Sequence, residues 1–114
     1  MSKKYELLLS DKIKHNEKIL YRIKALKSFN DVNEGDLGGY IESEENLSHE
    51  ENCWVYESAM IYDYAKVYGN AKVYDNAHIH GYASVHGDTI INAGVIIGQV
   101  SKPYKNIFQY QCQN

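Results

Sequence analysis

From Cys53 to Val100 the sequence repeats itself every six residues. Ala59, Ala65, Ala71, Ala77 and Ala83 stand six apart, and Val55, Ile61, Val67, Val73, Ile79, Val85, Ile91 and Ile97 form a second column two places after the first. An α-helix repeats its apolar face at about 3.6 residues, so helical winding would scatter these columns around its surface. Residues two apart share one face of a strand, and β-branched side chains suit strands. The columns therefore predict an all-β chain of short strands, each turning an Ala and an aliphatic residue inward. Between them come Gly69-Asn70, Asp75-Asn76, Gly81-Tyr82 and Gly87-Asp88, residues that tolerate the positive φ of a sharp corner. Counting back from Cys53, two further hexads, IESEEN and LSHEEN, put Ile41 and Leu47 in the first column but Ser43 and His49 in the aliphatic column. The first repeat is thus expected to be imperfect and covered by the N-terminal hairpin, with His49 a shielded or rim histidine rather than a ligand.

Residues 4–27 read as a β-hairpin. Tyr5, Leu7 and Leu9 alternate with Glu6, Leu8 and Ser10; after a polar turn at His15-Asn16-Glu17, Ile19, Tyr21, Ile23 and Ala25 alternate with Leu20, Arg22, Lys24 and Leu26. Two strands alone are marginal, so the hairpin should pack on the repeats. Asp31 to Tyr40 is rich in turn residues and reads as a Gly-rich hinge; no Lys-Ser/Thr follows it, which argues against a phosphate loop. The expected organisation is a head and hinge over 1–40, the repeats over 41–100, and a tail over 101–114 that caps the last repeat or mediates self-association, with Pro103 marking where the repeat stops.

The charge is uneven along the 114 residues. Residues 1–27 hold eight Lys and Arg against three acids; residues 28–114 hold four Lys against twelve acids. Six Glu and no base fall between Glu42 and Glu57. Cys53 and Cys112 have no paired spacing, which argues against a disulfide framework or a thiolate zinc site. MSKKYELLLSDK holds no apolar run long enough for a signal peptide or a membrane span, so a cytoplasmic protein is expected, in the host cytoplasm if phage-encoded. Asn46-Leu47-Ser48 matches the glycosylation pattern but, without secretion, is expected to stay unmodified.

Val67-Tyr68-Gly69-Asn70-Ala71-Lys72 resembles the repeat of the hexapeptide-repeat superfamily, apart from Tyr in its second place. The resemblance is strong over 53–100 and implies a left-handed parallel β-helix, three hexads to a coil and about three coils. Phe29-Asn30-Asp31-Val32, Gly38-Gly39-Tyr40-Ile41, Asn46-Leu47-Ser48 and Cys53-Trp54 also resemble a group of phage and enterobacterial hexapeptide-repeat proteins with a β-hairpin head.

With eighteen residues per coil, equivalent side chains stack roughly 4.8 Å apart. One outer face would carry Trp54, Tyr56, Lys72, Tyr74, Ile90 and Asn92, a second Met60, Tyr62, His78, His80, Ile96 and Gly98, and a third Lys66, Tyr68, Ser84 and His86. Aromatic and apolar side chains on flat outer walls point to protein contact, although the same columns also read as ladders that only stiffen parallel strands. The binding residues expected for a partner or for self-association are Trp54, Tyr56, Tyr62, Tyr68, Tyr74, Ile90 and Ile96, with Glu44, Glu45, Glu50 and Glu51 from the acidic first coil. Enzymes of the superfamily use a His general base or three His on zinc. Here His78 and His80 face out of one strand while His86 belongs to the next face, and no loop interrupts 53–100 to build a concave site. No catalytic residue, metal site or cofactor is therefore expected. The basic hairpin holds a single Arg, Arg22, and direct nucleic-acid binding is not expected. The reading is a non-catalytic, self-associating (dimer or trimer) protein-binding module: a phage or mobile-element accessory protein that inhibits a host protein complex, for example as an anti-CRISPR or other anti-defence factor, by steric or charge blockade. A trimeric acyltransferase-like or metal-dependent enzyme and a structural self-assembling protein are the alternatives.

Overall fold

The computed structural model describes residues 3–92 and 94–96, and over these the chain is all-β. Two long strands, β1 (Tyr5–His15) and β2 (Lys18–Ala25), precede β3 (Leu37–Ile41) and a single 3-10 turn, η1 (Glu44–Asn46). Eight two-residue strands follow: β4 (Trp54–Val55), β5 (Met60–Ile61), β6 (Lys66–Val67), β7 (Lys72–Val73), β8 (His78–Ile79), β9 (Ser84–Val85), β10 (Ile90–Ile91) and β11 (Val95–Ile96). They assemble into a long sheet ordered β1-β2-β3-β5-β8-β11, a three-stranded sheet β10-β7-β4 and a two-stranded sheet β6-β9. The short strands pair in parallel, Trp54 with Lys72 and on to Ile90, Met60 with His78, Lys66 with Ser84, each eighteen residues apart.

The sequence columns explain this path. Ala59, Ala65, Ala71, Ala77 and Ala83 are fully buried, as are Val55, Ile61, Val73, Ile79, Val85 and Ile91. Each buried Val or Ile contributes roughly 1.5–3 kcal/mol, and the small Ala beside it lets neighbouring strands approach. The corner is made by the fifth residue of each hexad. Glu51, Glu57, Asp63, Gly69, Asp75, Gly81 and Gly87 all have φ between 58° and 69°.

The register departs from the simple hexad count at both ends. Ile41 pairs with Ile61 and Leu47 bridges Val67, twenty residues apart rather than eighteen. Ile41 and Leu47 therefore occupy the aliphatic column, not the first one, and Ser43 and His49 never belonged to it. The two extra residues lie between Leu47 and Cys53, in the bend over Ser48–Asn52. At the other end Val95 pairs with His78 and Ile96 with Ile79, seventeen apart. A one-residue slip exchanges the two faces of a strand. Ile96 thus pairs with Ile79, where the hexad count pairs it with His78.

Gly38-Gly39 is not a hinge. Both residues are buried inside β3, and a Cβ on Gly38 would lie 2.5 Å from the Val55 carbonyl oxygen, one on Gly39 2.5 Å from that of Ala59. They are glycines so that β3 can lie against β4 and β5.

Asn46 is the buried polar residue that turns the first repeat. Its Oδ1 accepts from the Glu42 and Ser43 N–H groups, and its Nδ2 donates to the Asp63 and Ala65 carbonyls. At 1% exposure its amide is also closed to glycosylation. Asn46→Ala strands these groups and is expected to cost about 2–4 kcal/mol in urea unfolding.

Candidate interaction surface

The head decides which walls of the repeats are reachable. The hairpin turns at Asn16 and Glu17, both with positive φ, the two-residue loop that suits the twist of paired strands. A bulge over Leu9–Asp11 bends β1, and the hairpin tip lies over the outer side of β5 and β8. The His15 ring sits 5.3 Å from Tyr62 and 5.1 Å from His78, and Lys18 Nζ reaches Asp63 at 3.0 Å and Glu42 at 3.8 Å. Tyr62 is left 3% exposed and Leu20 fully buried.

The three-stranded sheet is covered at its head end. Phe29 packs edge-on to Trp54 at 5.3 Å and Tyr5 does so at 6.2 Å, leaving Trp54 1% exposed. Tyr56 stacks on Tyr74 at 4.2 Å and donates its hydroxyl to Asp31. Burial, then that carboxylate, pushes the Tyr56 phenol well above its usual range. Of the binding residues expected from the sequence, Trp54 and Tyr62 are therefore core residues. Tyr56, Tyr74 and Ile90 are half-buried. The Ile96 side chain and residues 97–114, with the expected tail cap, lie outside the described residues.

The head also closes the open end of the first repeat. The Lys4 side chain, one of the eight basic residues of 1–27, is fully buried. Its ammonium donates to the carbonyls of Cys53 at 2.7 Å and Glu51 at 3.3 Å, approaches that of Glu50 at 3.5 Å, and lies 4.9 Å from the Phe29 ring centre. Burial pulls this amine below the ordinary lysine range, while Cys53 works the other way. Burial likewise pushes the Cys53 thiol up, which makes it inert. Tyr5 stacks on His49 at 4.1 Å and donates to the Leu47 carbonyl. His49 Nδ1 accepts the Lys4 N–H, so its Nε2 carries the proton and donates to Glu44 at 2.8 Å. With both nitrogens engaged, His49 is no free base. His49 and Lys3 hold the Glu44 carboxyl below the usual carboxylate range.

Among the described residues, the two-stranded sheet and the corner leading into it carry exposed aromatic side chains. Tyr64 and Tyr82, eighteen residues apart, stack at 5.1 Å with planes within 9° and stay 68% and 75% exposed. Tyr68, 40% exposed, stacks on His86 at 5.2 Å, beside exposed Lys66 and half-buried Ser84. Glu44 and Glu45 of η1 stand at the head end of this wall, next to β6. Glu50 and Glu51 are exposed on the neighbouring bend. Tyr64 and Tyr82 fall in the corner column, which sequence reasoning reads only for backbone turning; their shared eighteen-residue spacing was the available signal. At another corner a hydrogen bond with Asp75, and then its charge, raises the Glu57 carboxyl above its usual range.

His78 lies in β8 and His80 directly follows it, but His86 follows β9 on a different sheet, and among the described residues no group of three or more His, Cys, Asp and Glu is placed to hold a metal ion. A cavity of about 480 Å³ at the head end is lined by residues that include His49, Glu50 and Glu51. His49 is its sole imidazole, and both ring nitrogens are already bonded. No helix among the described residues is long and apolar enough to cross a membrane. No protein-family model matches the chain, and no curated protein matches it at a significant level.

Proposed function

We propose that this chain is a non-catalytic protein-binding module whose repeats wind as a left-handed parallel β-helix. Parallel pairing at eighteen-residue intervals supports the winding. In this reading the protein acts in the cytoplasm, self-associates as a dimer or trimer, and blocks a host protein complex on behalf of a phage or other mobile element. Inhibition as an anti-CRISPR or other anti-defence factor is its concrete form.

The observation that carries the reading is the Tyr64–Tyr82 stack, two large aromatics packed face to face and left in water. Tyrosine offers a large contact area at low entropic cost, and exposed aromatic clusters mark contact sites. Glu44 and Glu45 at the end of the same wall would favour a basic partner surface.

The test is affinity capture from host lysate with the wild type and a Tyr64→Ala/Tyr82→Ala variant side by side. The wild type is expected to retain a host protein that the variant binds at least about tenfold more weakly, with thermal stability unchanged. Equal recovery by both would move the interface elsewhere. Recovery of nothing above background, or sedimentation as a monomer at every concentration, would end the respective half of the reading.

A further inference from the structure

We propose that the hairpin tip is a pH-sensitive latch, closed over the long sheet at neutral pH and released on acidification while the repeats stay folded. The tip meets the repeats through an imidazole cluster, beside the buried Leu20 and the ion pairs of Lys18. His15, at the end of β1, meets His78 of β8 nearly at right angles, with ring centres 5.1 Å apart. The Tyr62 hydroxyl is 3.3 Å from His15 Nε2, and Tyr62 in turn stacks flat on His80 at 4.9 Å. The Asn16 amide nitrogen also lies 3.3 Å from His15 Nε2, a contact that needs an unprotonated ring nitrogen.

Charging His78 puts a cation into a half-buried contact with the His15 ring. Burial, then His15 and His80, already hold His78 below the ordinary histidine range. The closed state therefore binds fewer protons than the open one. Latch stability is complete above roughly pH 6.5, the ordinary histidine value, and is lost as the pH falls through the depressed one.

The other groups facing the cluster do not reverse this sign. Lys18 of β2 adds a further positive charge, although its own partners, Glu42 beyond β3 and Asp63 beyond β5, hold it in place. Burial works against the Asp63 carboxylate, yet the Gly81 N–H and Lys18 keep it below the usual range, so it stays charged while His78 titrates. It stands 3.5 Å from His80 Nδ1 and makes no ion pair with His78. The Tyr62 phenol is pushed up by burial and stays neutral. β11 contributes Val95 and Ile96, which carry no charge. Opening would uncover Tyr62 of the repeats and Leu20 of β2, both now buried.

The test is proton NMR of the full chain at about pH 7.5 and about pH 5.5, on either side of the ordinary histidine value. Contacts between the His15 and Tyr62 rings are expected to weaken several-fold at the lower pH, while those between the strands of Lys72 and Ile90 persist. His78→Phe keeps a ring but no charge, and is expected to stay closed at both values; His15→Phe serves as the second such variant. Persistence of the His15–Tyr62 contact in the wild type at the lower pH would overturn the latch. So would release of the phenylalanine variants alongside the wild type, or loss of the repeat contacts in the same step.

Discussion

Gly39→Ala is expected to lower the unfolding free energy by roughly 3 kcal/mol or more, the upper range for overpacking a rigid site. The added methyl would meet the Ala59 carbonyl oxygen at 2.5 Å and Val55 Cγ1 at 2.7 Å. That carbonyl accepts the Tyr40 N–H, the bond that joins β3 to β5. It cannot retreat without opening the junction between head and repeats. Gly35→Ala is the matched control. Gly35 has a φ of 95° but nothing within 4 Å of an added Cβ, so only the conformational cost of about 1 kcal/mol applies there. Urea midpoints for the two variants should separate accordingly, with the slope unchanged. Equal midpoints would mean that β3 does not lie against β5 as closely as described.

Lys4→Met is expected to cost about 3 kcal/mol, because methionine fills much of the volume but leaves the carbonyls of Glu50, Glu51 and Cys53 without their shared donor. Lys3→Met, one residue away, removes only an exposed pair with Glu44 and should change stability by less than about 1 kcal/mol. Thermal unfolding separates the two. Trp54 fluorescence gives a local reading, since Phe29 and Tyr5 pack on the indole and Lys4 anchors that end. A large loss in Lys4→Met with an unaltered Trp54 spectrum would place the damage elsewhere than the head-end closure.

Both variants lie where the sequence misled. Gly38-Gly39 has the composition of a hinge, and nothing within 29–41 says that a strand will press against it. Lys4 sits in a run of basic residues and looks solvated; its burial depends on Cys53, forty-nine positions away. The hexads after Cys53 were readable because each is a local statement: Ala and Val two apart face inward, and the fifth residue accepts a positive φ. The count failed where it rested on counting alone. Leu47 and Ile41 were assigned one column off because two residues inserted over 48–52 leave no mark in a hexad tally. Ile96 slipped because the interval from His78 to Val95 is one residue short.

For the proposed interface the division is sharper. The sequence placed Tyr68 on an outer wall correctly, and it also placed Trp54 and Tyr62 there. The latter two do point out of the repeats, but the head then lies over them. Tyr64 and Tyr82 went unnoticed at their corner.

The sequence by itself determined that the chain is all-β, where its short strands and corners fall, and which residues turn inward, because strand alternation and corner geometry are settled within six residues. Only the tertiary structure decided which walls stay in contact with water. That outcome depends on where the hairpin lands, through contacts such as His15 with Tyr62 and Lys4 with Cys53, and no local pattern encodes a contact between residues more than forty positions apart.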